Sequence, residues 1–244
     1  MNYAIILAGG TGQRMKTSGM PKQFLSVFGK PIIIYTLETF ENNPDIDEIV
    51  IPCNEKWIGK MKSIVRLYDI TKAKKIIVGG VDRNHSILNG LNAIENKLTN
   101  DDVIVIHDGV RPLVKSETIS ENVTVAKEKG NAMTVKQNIE TVVVTKEDTA
   151  KFADFMDRRF TYTLTAPQSF RAKELVEILL KMDQLNSESD TVPIIDVSIA
   201  YASLGIDVNL VIEEGMNLKI TTSDDYYAFK AYLEAQENKN ILGV

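Results

Sequence analysis

The sequence predicts an α/β fold of three layers around a mostly parallel sheet, and three observations carry that expectation. Uninterrupted apolar runs recur at residues 3–8, 48–53, 75–78 and 103–106, the pattern of strands buried on both faces. Stretches of helical character lie between them, at residues 31–40, 57–68 and 84–94, and strand–helix alternation at this spacing indicates a three-layer arrangement. The first run ends directly in Gly9-Gly10, and ligands of such sheets bind beyond the carboxyl ends of the strands.

The pattern changes after about residue 132. Residues 134–145 are rich in β-branched side chains with polar interruptions, and residues 146–157 are charged and turn-like. This segment reads as an excursion, a protruding β-arm over residues 137–161 of a single domain spanning 1–244. A helix returns at residues 172–182, followed by a polar stretch at 183–190. Residues 208–212 read as a strand, and residues 223–237 as a terminal helix with Ser223 as its N-cap. The last residues, 238–244, are expected to fray or pack loosely.

Composition narrows the function classes. Hydrophobic residues at 44% and charged residues at 25% are ordinary for a folded enzyme and exclude a disordered chain. The single cysteine, Cys53, cannot form an internal disulfide and fits a reducing cytosol. A net charge of −5 gives no global field toward nucleic acid or anionic membrane. No run reaches transmembrane length, so a cytoplasmic protein is expected. Any anionic ligand has to be caught by a local basic cluster.

Such a cluster stands at the start of the chain. Leu7-Ala8-Gly9-Gly10-Thr11-Gly12-Gln13-Arg14-Met15 is followed, five residues later, by Pro21-Lys22-Gln23-Phe24. Glycines directly after a buried strand let backbone N–H groups approach a polyphosphate, and Arg14 and Lys22 add two positive charges. A lone glycine fingerprint is weak evidence. However, this one has neither the spacing of a dinucleotide site nor the Lys-Ser/Thr pair of a P-loop.

Gly79-Gly80-Val81-Asp82-Arg83-Asn84-His85-Ser86 reads as a turn opening a helix at the same edge. On its own it reads rather as a plain turn with Ser86 in solvent, and Gly90 beyond it allows close helix packing. In His107-Asp108-Gly109-Val110-Arg111-Pro112, Asp108 falls at a strand's carboxyl end. There it can hold Mg²⁺ or a ribose, or form a structural ion pair with Arg111. His85 and His107, the only histidines, support neither a Ser-His-Asp triad nor a zinc site and are expected to be structural. Cys53 reads as core.

These motifs, with Pro167-Gln168-Ser169-Phe170 and Asn217-Leu218-Lys219-Ile220-Thr221, resemble those of the glycosyltransferase-A-like nucleotidyltransferases. The likeness is to the branch of methylerythritol-phosphate and ribitol-5-phosphate cytidylyltransferases, and it covers nearly the whole chain. It implies a Rossmann-like sandwich of the nucleotide-diphospho-sugar transferase type. The implied reaction transfers CMP from CTP to a polyol phosphate, with Mg²⁺ as cofactor and pyrophosphate as product.

By that resemblance Arg14, Lys22 and Lys219 are catalytic. Leu7, Ala8, Gly9, Gly10, Thr11, Gly12, Gly80, Arg83 and Ser86 bind the nucleotide, Ser86 touching the base. Asp108, Arg111, Thr141 and Arg158 bind the acceptor, Asp108 also holding the metal. The arm of residues 137–161 is implied to dimerise, carrying Thr141 and Arg158 into a partner's site. Arg158-Arg159 alone would read as a solvated pair. A phosphate monoester, with its second pKa near 6, needs no base, so catalysis reduces to alignment and charge neutralisation.

The chain departs from the family pattern at Thr165-Ala166-Pro167-Gln168, where Gln-Thr-Pro-Gln is usual, and at Ile195-Asp196, where Thr-Asp is usual. Losing two hydroxyls near the acceptor changes which polyol is recognised more than whether chemistry occurs. Gly9-Gly10 and Gly109-Val110-Arg111 resemble the ribitol-phosphate branch. The expectation is therefore D-ribitol 5-phosphate, feeding wall, capsule or surface polymers, with methylerythritol 4-phosphate and isoprenoid synthesis as the alternative. A UTP- or GTP-dependent sugar nucleotidyltransferase fits the second and fifth motifs less well. A non-catalytic nucleotide-binding protein would not need Arg14, Lys22, Asp108 and Lys219 together.

Overall fold

In the computed structural model the first apolar run becomes β1 (Asn2–Leu7), whose alternate side chains feed two separate cores. Residues 1–10, 19–146, 151–188 and 196–242 are described by the structure. A small hairpin, β2 (Ser26–Val27) and β3 (Lys30–Pro31), leads into α1 (Ile32–Asn42). Then come β4 (Glu48–Cys53), α2 (Ile58–Leu67), β5 (Ala73–Val78), α3 (Arg83–Asn92) and β6 (Val103–Asp108). The second half contains α4 (Ser116–Lys129), β7 (Asn131–Gln137), β8 (Val142–Thr145), β9 (Phe152–Met156) and β10 (Tyr162–Arg171). It closes with α5 (Ala172–Glu188), α6 (Val197–Ser203), β11 (Leu210–Ile212) and α7 (Ser223–Leu242).

Seven strands form one mixed sheet in the order β11-β7-β10-β6-β1-β4-β5. Each neighbouring pair is parallel except those made by β10, which runs antiparallel to both β6 and β7. Helices cover both faces, giving the expected three layers. Ala4 and Ile6 of β1 point to a core shared with Leu37 of α1, Met61 of α2 and Ile119 of α4. Tyr3 and Ile5 point to the other core, with Leu91 of α3, Leu179 of α5 and Tyr201 of α6. Gly90 lets α3 lie directly on β1, since a Cβ there would come within 3.1 Å of Ile5 Cδ1.

Four local features differ from the sequence expectation. Helix α4 carries only Ile119, Val123 and Ala126 as buried apolar residues in an otherwise polar stretch, which is enough to bury one stripe but a weak periodic signal. Strand β10 is central yet contains Pro167, a residue normally confined to edges and irregularities. The register of β10 against β7 shifts between Leu164 and Gln168, and the proline sits in that irregular stretch. Residues 146–157, turn-like in composition, include β9, which pairs antiparallel with β8 as a two-stranded sheet separate from the main one, within the β-arm expected over 137–161. Ser223 is the first helical residue of α7 rather than its cap; Thr222 Oγ1 accepts from Asp225 N instead (3.3 Å).

Candidate active site

Strand order reverses around β1. β4 and β5 lie to one side and β6 to the other, so a crevice opens beyond the carboxyl ends of β1 and β6. Leu7 pairs in register with Asp108, and Gly109 N donates to Leu7 O (2.9 Å). A cavity of about 420 Å³ fills this crevice, bounded by Leu7 to Gly10, Lys22, Gly80, Arg83, Ser86, Asp108 and Lys219.

Two glycine turns form its rim, each fixed from behind by one polar side chain. The buried Gln23 amide donates to Ala8 O (2.7 Å) and Gly10 O (3.3 Å), holding the turn after β1. Ser86 Oγ accepts from Gly80 N (3.0 Å) and donates to Asp82 O (2.7 Å), holding the turn after β5. Asp82 in turn caps α3 by accepting from His85 N (2.8 Å), which fixes the start of that helix where Arg83 and Ser86 line the crevice. Gly80 is obligatory there: a Cβ would fall 2.3 Å from His85 Cβ and 2.5 Å from His85 C.

Asp108 is the electrostatic centre. The residue is 8% exposed. Oδ1 lies 3.3 Å from Arg83 Nη1, while Oδ2 lies 2.9 Å from Arg111 Nε and 3.0 Å from Lys219 Nζ. Burial pushes its proton affinity up, but Arg83, Lys219 and Arg111 together outweigh this and hold the carboxyl well below the usual range. One anion against three cations leaves the crevice positive inside a chain of net charge −5. Such a site draws in a polyanion and focuses its charge at one place.

Most of the expected residues therefore meet. Leu7, Ala8, Gly9, Gly10, Lys22, Gly80, Arg83, Ser86, Asp108 and Lys219 line the cavity. Ser86 is buried and bonded within its loop, not a solvated helix residue. Arg111 stands behind Asp108, donating through Nη1 to Asn217 O (2.9 Å). Thr11, Gly12, Arg14 and Ile195 lie outside the described residues. Thr141 and Arg158 are exposed and do not line the cavity of their own chain. Ala166 is buried away from it.

The histidines and the cysteine take structural places. His107 is fully buried against Phe40, and burial lowers its pKa to about 3, leaving a neutral ring beside Arg111 O (3.3 Å). His85 pairs with Asp82. Cys53 is core, its thiol pushed up to about 11 by burial. Sequence reasoning gave no role to Gln23, or to Gln168, a buried amide between Arg83 (3.5 Å) and Asp196 (3.2 Å). Amide side chains carry no charge pattern that would single them out.

Among the described residues no group of three or more His, Cys, Asp or Glu could cage a metal ion. Asp108 is the carboxylate at the cavity that could serve Mg²⁺, which takes one or two carboxylates and completes its shell with phosphate oxygens and water, but it would share its oxygens with Arg83, Arg111 and Lys219. No helix among the described residues is long and apolar enough to cross a membrane.

Comparison with known proteins agrees with this geometry. The chain is 42% identical to a ribitol-5-phosphate cytidylyltransferase of Vibrio parahaemolyticus and 40% identical to one of Streptococcus agalactiae serotype Ia, each alignment covering all of both chains. The structure superposes on 4-diphosphocytidyl-2C-methyl-D-erythritol synthase of Anaerococcus prevotii with a TM-score of 0.79, at 25% identity over 96% of each chain. Residues 2–235 match the family described as IspD, 2-C-methyl-D-erythritol 4-phosphate cytidylyltransferase, and the chain belongs to that family of cytidylyltransferases.

Proposed function

We propose that this chain transfers CMP from CTP to D-ribitol 5-phosphate, forming CDP-ribitol and pyrophosphate in the cytoplasm. The observation that carries the reading is the buried Asp108 carboxylate ringed by Arg83, Arg111 and Lys219 at the mouth of two glycine turns. The turns supply backbone N–H groups for the triphosphate. Lys22 and Lys219 offset charge on the α-phosphate and on departing pyrophosphate, as cations already in place where charge develops in the transition state. The acceptor phosphate attacks in line as a dianion, so no side chain has to remove a proton.

Asp108 would hold Mg²⁺ together with phosphate oxygens, the ion supplying further neutralisation of the triphosphate. Full-length relatives of about 40% identity named for ribitol 5-phosphate support that acceptor. The family description names methylerythritol 4-phosphate and supplies the second reading. A homodimer fits as well. The β8–β9 hairpin exposes Val143, Phe152, Phe155 and Met156, and Thr141 and Arg158 flank it without reaching their own cavity.

Pyrophosphate release from CTP is the test, with ribitol 5-phosphate, methylerythritol 4-phosphate and glycerol 3-phosphate compared. Turnover is expected with ribitol 5-phosphate and should stop when EDTA removes Mg²⁺. Turnover with methylerythritol 4-phosphate alone would overturn the acceptor assignment, and EDTA-resistant turnover the metal assignment.

A further inference from the structure

We infer that Glu213 is a positioning residue for the acceptor side of the site, acting through Asn217 on Arg111; this rests on the function proposed above. Glu213 follows β11, and its backbone N donates to Val135 O in β7 (2.9 Å), so its main chain is anchored to the sheet. Its side chain turns inward and the residue is only 5% exposed. The carboxylate accepts from Asn217 Nδ2 (2.7 Å), and the same amide also donates to Ala166 O in β10. Asn217 O then accepts from Arg111 Nη1 (2.9 Å), and Arg111 Nε donates to Asp108 Oδ2 (2.9 Å). Three consecutive hydrogen bonds thus join a buried carboxylate to the one facing the cavity. Lys219 lies two residues beyond Asn217 on the same segment.

A buried carboxylate is an expensive way to fill space, and an apolar residue of its size would serve stability as well or better. Burial raises the proton affinity of Glu213; the bond from Asn217 and the charges of Arg111, Lys115 and Lys136 oppose it. What Glu213 gains for the protein is orientation. It fixes the Asn217 amide, and with it the carbonyl that aims Arg111. The nucleotide turns have supports of their own in Gln23 and Ser86, so the effect of Glu213 falls on Arg111 and the acceptor rather than on CTP.

The test is steady-state kinetics on Glu213→Leu, Glu213→Asp and Glu213→Gln, with thermal unfolding alongside. Leu removes the acceptor of the Asn217 bond, Asp retracts it, and Gln keeps it without the charge. KM for ribitol 5-phosphate should rise about tenfold in the Leu and Asp variants, the scale typical of a lost outer support. KM for CTP should stay at the wild-type value, and Gln should restore the acceptor KM. If the Leu variant does not fold, the Asp and Gln pair carries the comparison. Wild-type acceptor KM in all the folded variants would overturn the inference, as would both KM values drifting together with melting temperature. Lys219→Ala in the same assay separates the two levels. Wild-type turnover there sinks the proposed site, whereas loss there with unchanged KM values in the Glu213 series sinks this inference alone.

Discussion

At the scale of single residues, the site is built by giving one carboxylate more positive charge than it can neutralise. Asp108 holds Arg83, Arg111 and Lys219 at fixed distances, so the surplus is ready before any phosphate arrives. Asp108→Asn should lower turnover about a hundredfold, the scale of losing one preorganised electrostatic group. CTP binding measured without Mg²⁺ should hold or tighten, because the crevice becomes more positive. Binding and turnover falling together would instead mark Asp108 as a purely structural pair. Gly80→Ala tests the rim: the added Cβ meets His85 backbone at 2.5 Å, which the first turn of α3 cannot absorb without moving. A stability loss of about 1–3 kcal/mol is expected for such overpacking, read by thermal unfolding, together with weaker CTP binding. Asp108 and Gly80 were legible in the sequence because their motifs resemble those of the cytidylyltransferases; read alone, each had a structural alternative in an ion pair or a plain turn. Gln23, Gln168 and Glu213 were not, since their roles come from partners 15, 28 and 4 residues away that only the fold brings into reach.

At the scale of elements, the Lys219 segment is held from both sides. Ile220 N donates to Val110 O (2.9 Å). Asp225 Oδ2 accepts from Thr221 N (2.8 Å), Thr221 Oγ1 (2.7 Å) and Thr222 N (2.7 Å), closing the entry to α7. Burial acts to raise the Asp225 pKa, yet these bonds from Thr221 and Thr222 bring it from 3.8 to about 2. A depressed carboxylate contributes stability above its unfolded pKa and loses it as pH falls through the folded one. Asp225→Ala should therefore cost about 1 kcal/mol at neutral pH, as lost caps do, lowering Tm by roughly 2–4 °C. The gap between wild type and variant should close between pH 3.8 and about 2; a gap that persists at low pH would show that the carboxylate charge is not what caps α7. Strands β1, β4 and β6 could be read from sequence because burial on two faces leaves long apolar runs, and α1 to α3 from the stretches between them; the run at 75–78 also forms a strand, but β5 lies at the sheet edge with no buried residue. Strand β10 could not: Thr163, Thr165, Pro167, Gln168 and Ser169 interrupt it, and it is central only because β6 and β7 pair with it on either side.

At the scale of the whole molecule, a single chain leaves two things unfinished. Among the described residues the β8–β9 hairpin has no third strand, and an isolated two-stranded ribbon is marginal in water. Its Phe152 and Phe155 are 67% and 60% exposed, an apolar surface of the kind that marks an interaction site. Thr141 and Arg158, expected to bind the acceptor, do not line their own cavity. One arrangement would resolve both: the proposed dimer, with the arm of each protomer packing on its partner and delivering these residues to the partner's crevice. Arg158 would then complete a site whose Lys219 belongs to the other chain. Arg158→Ala and Lys219→Ala homodimers should each be nearly inactive. In a mixed dimer one site carries both lesions and the other carries neither, because the two residues of a site come from different chains. Random exchange of subunits makes half of the dimers mixed, so the blend should recover about a quarter of wild-type activity. If both residues serve the same chain, every site keeps one lesion and mixing restores nothing. That result, in dimers shown by mass to have exchanged, would remove the arm from the active site.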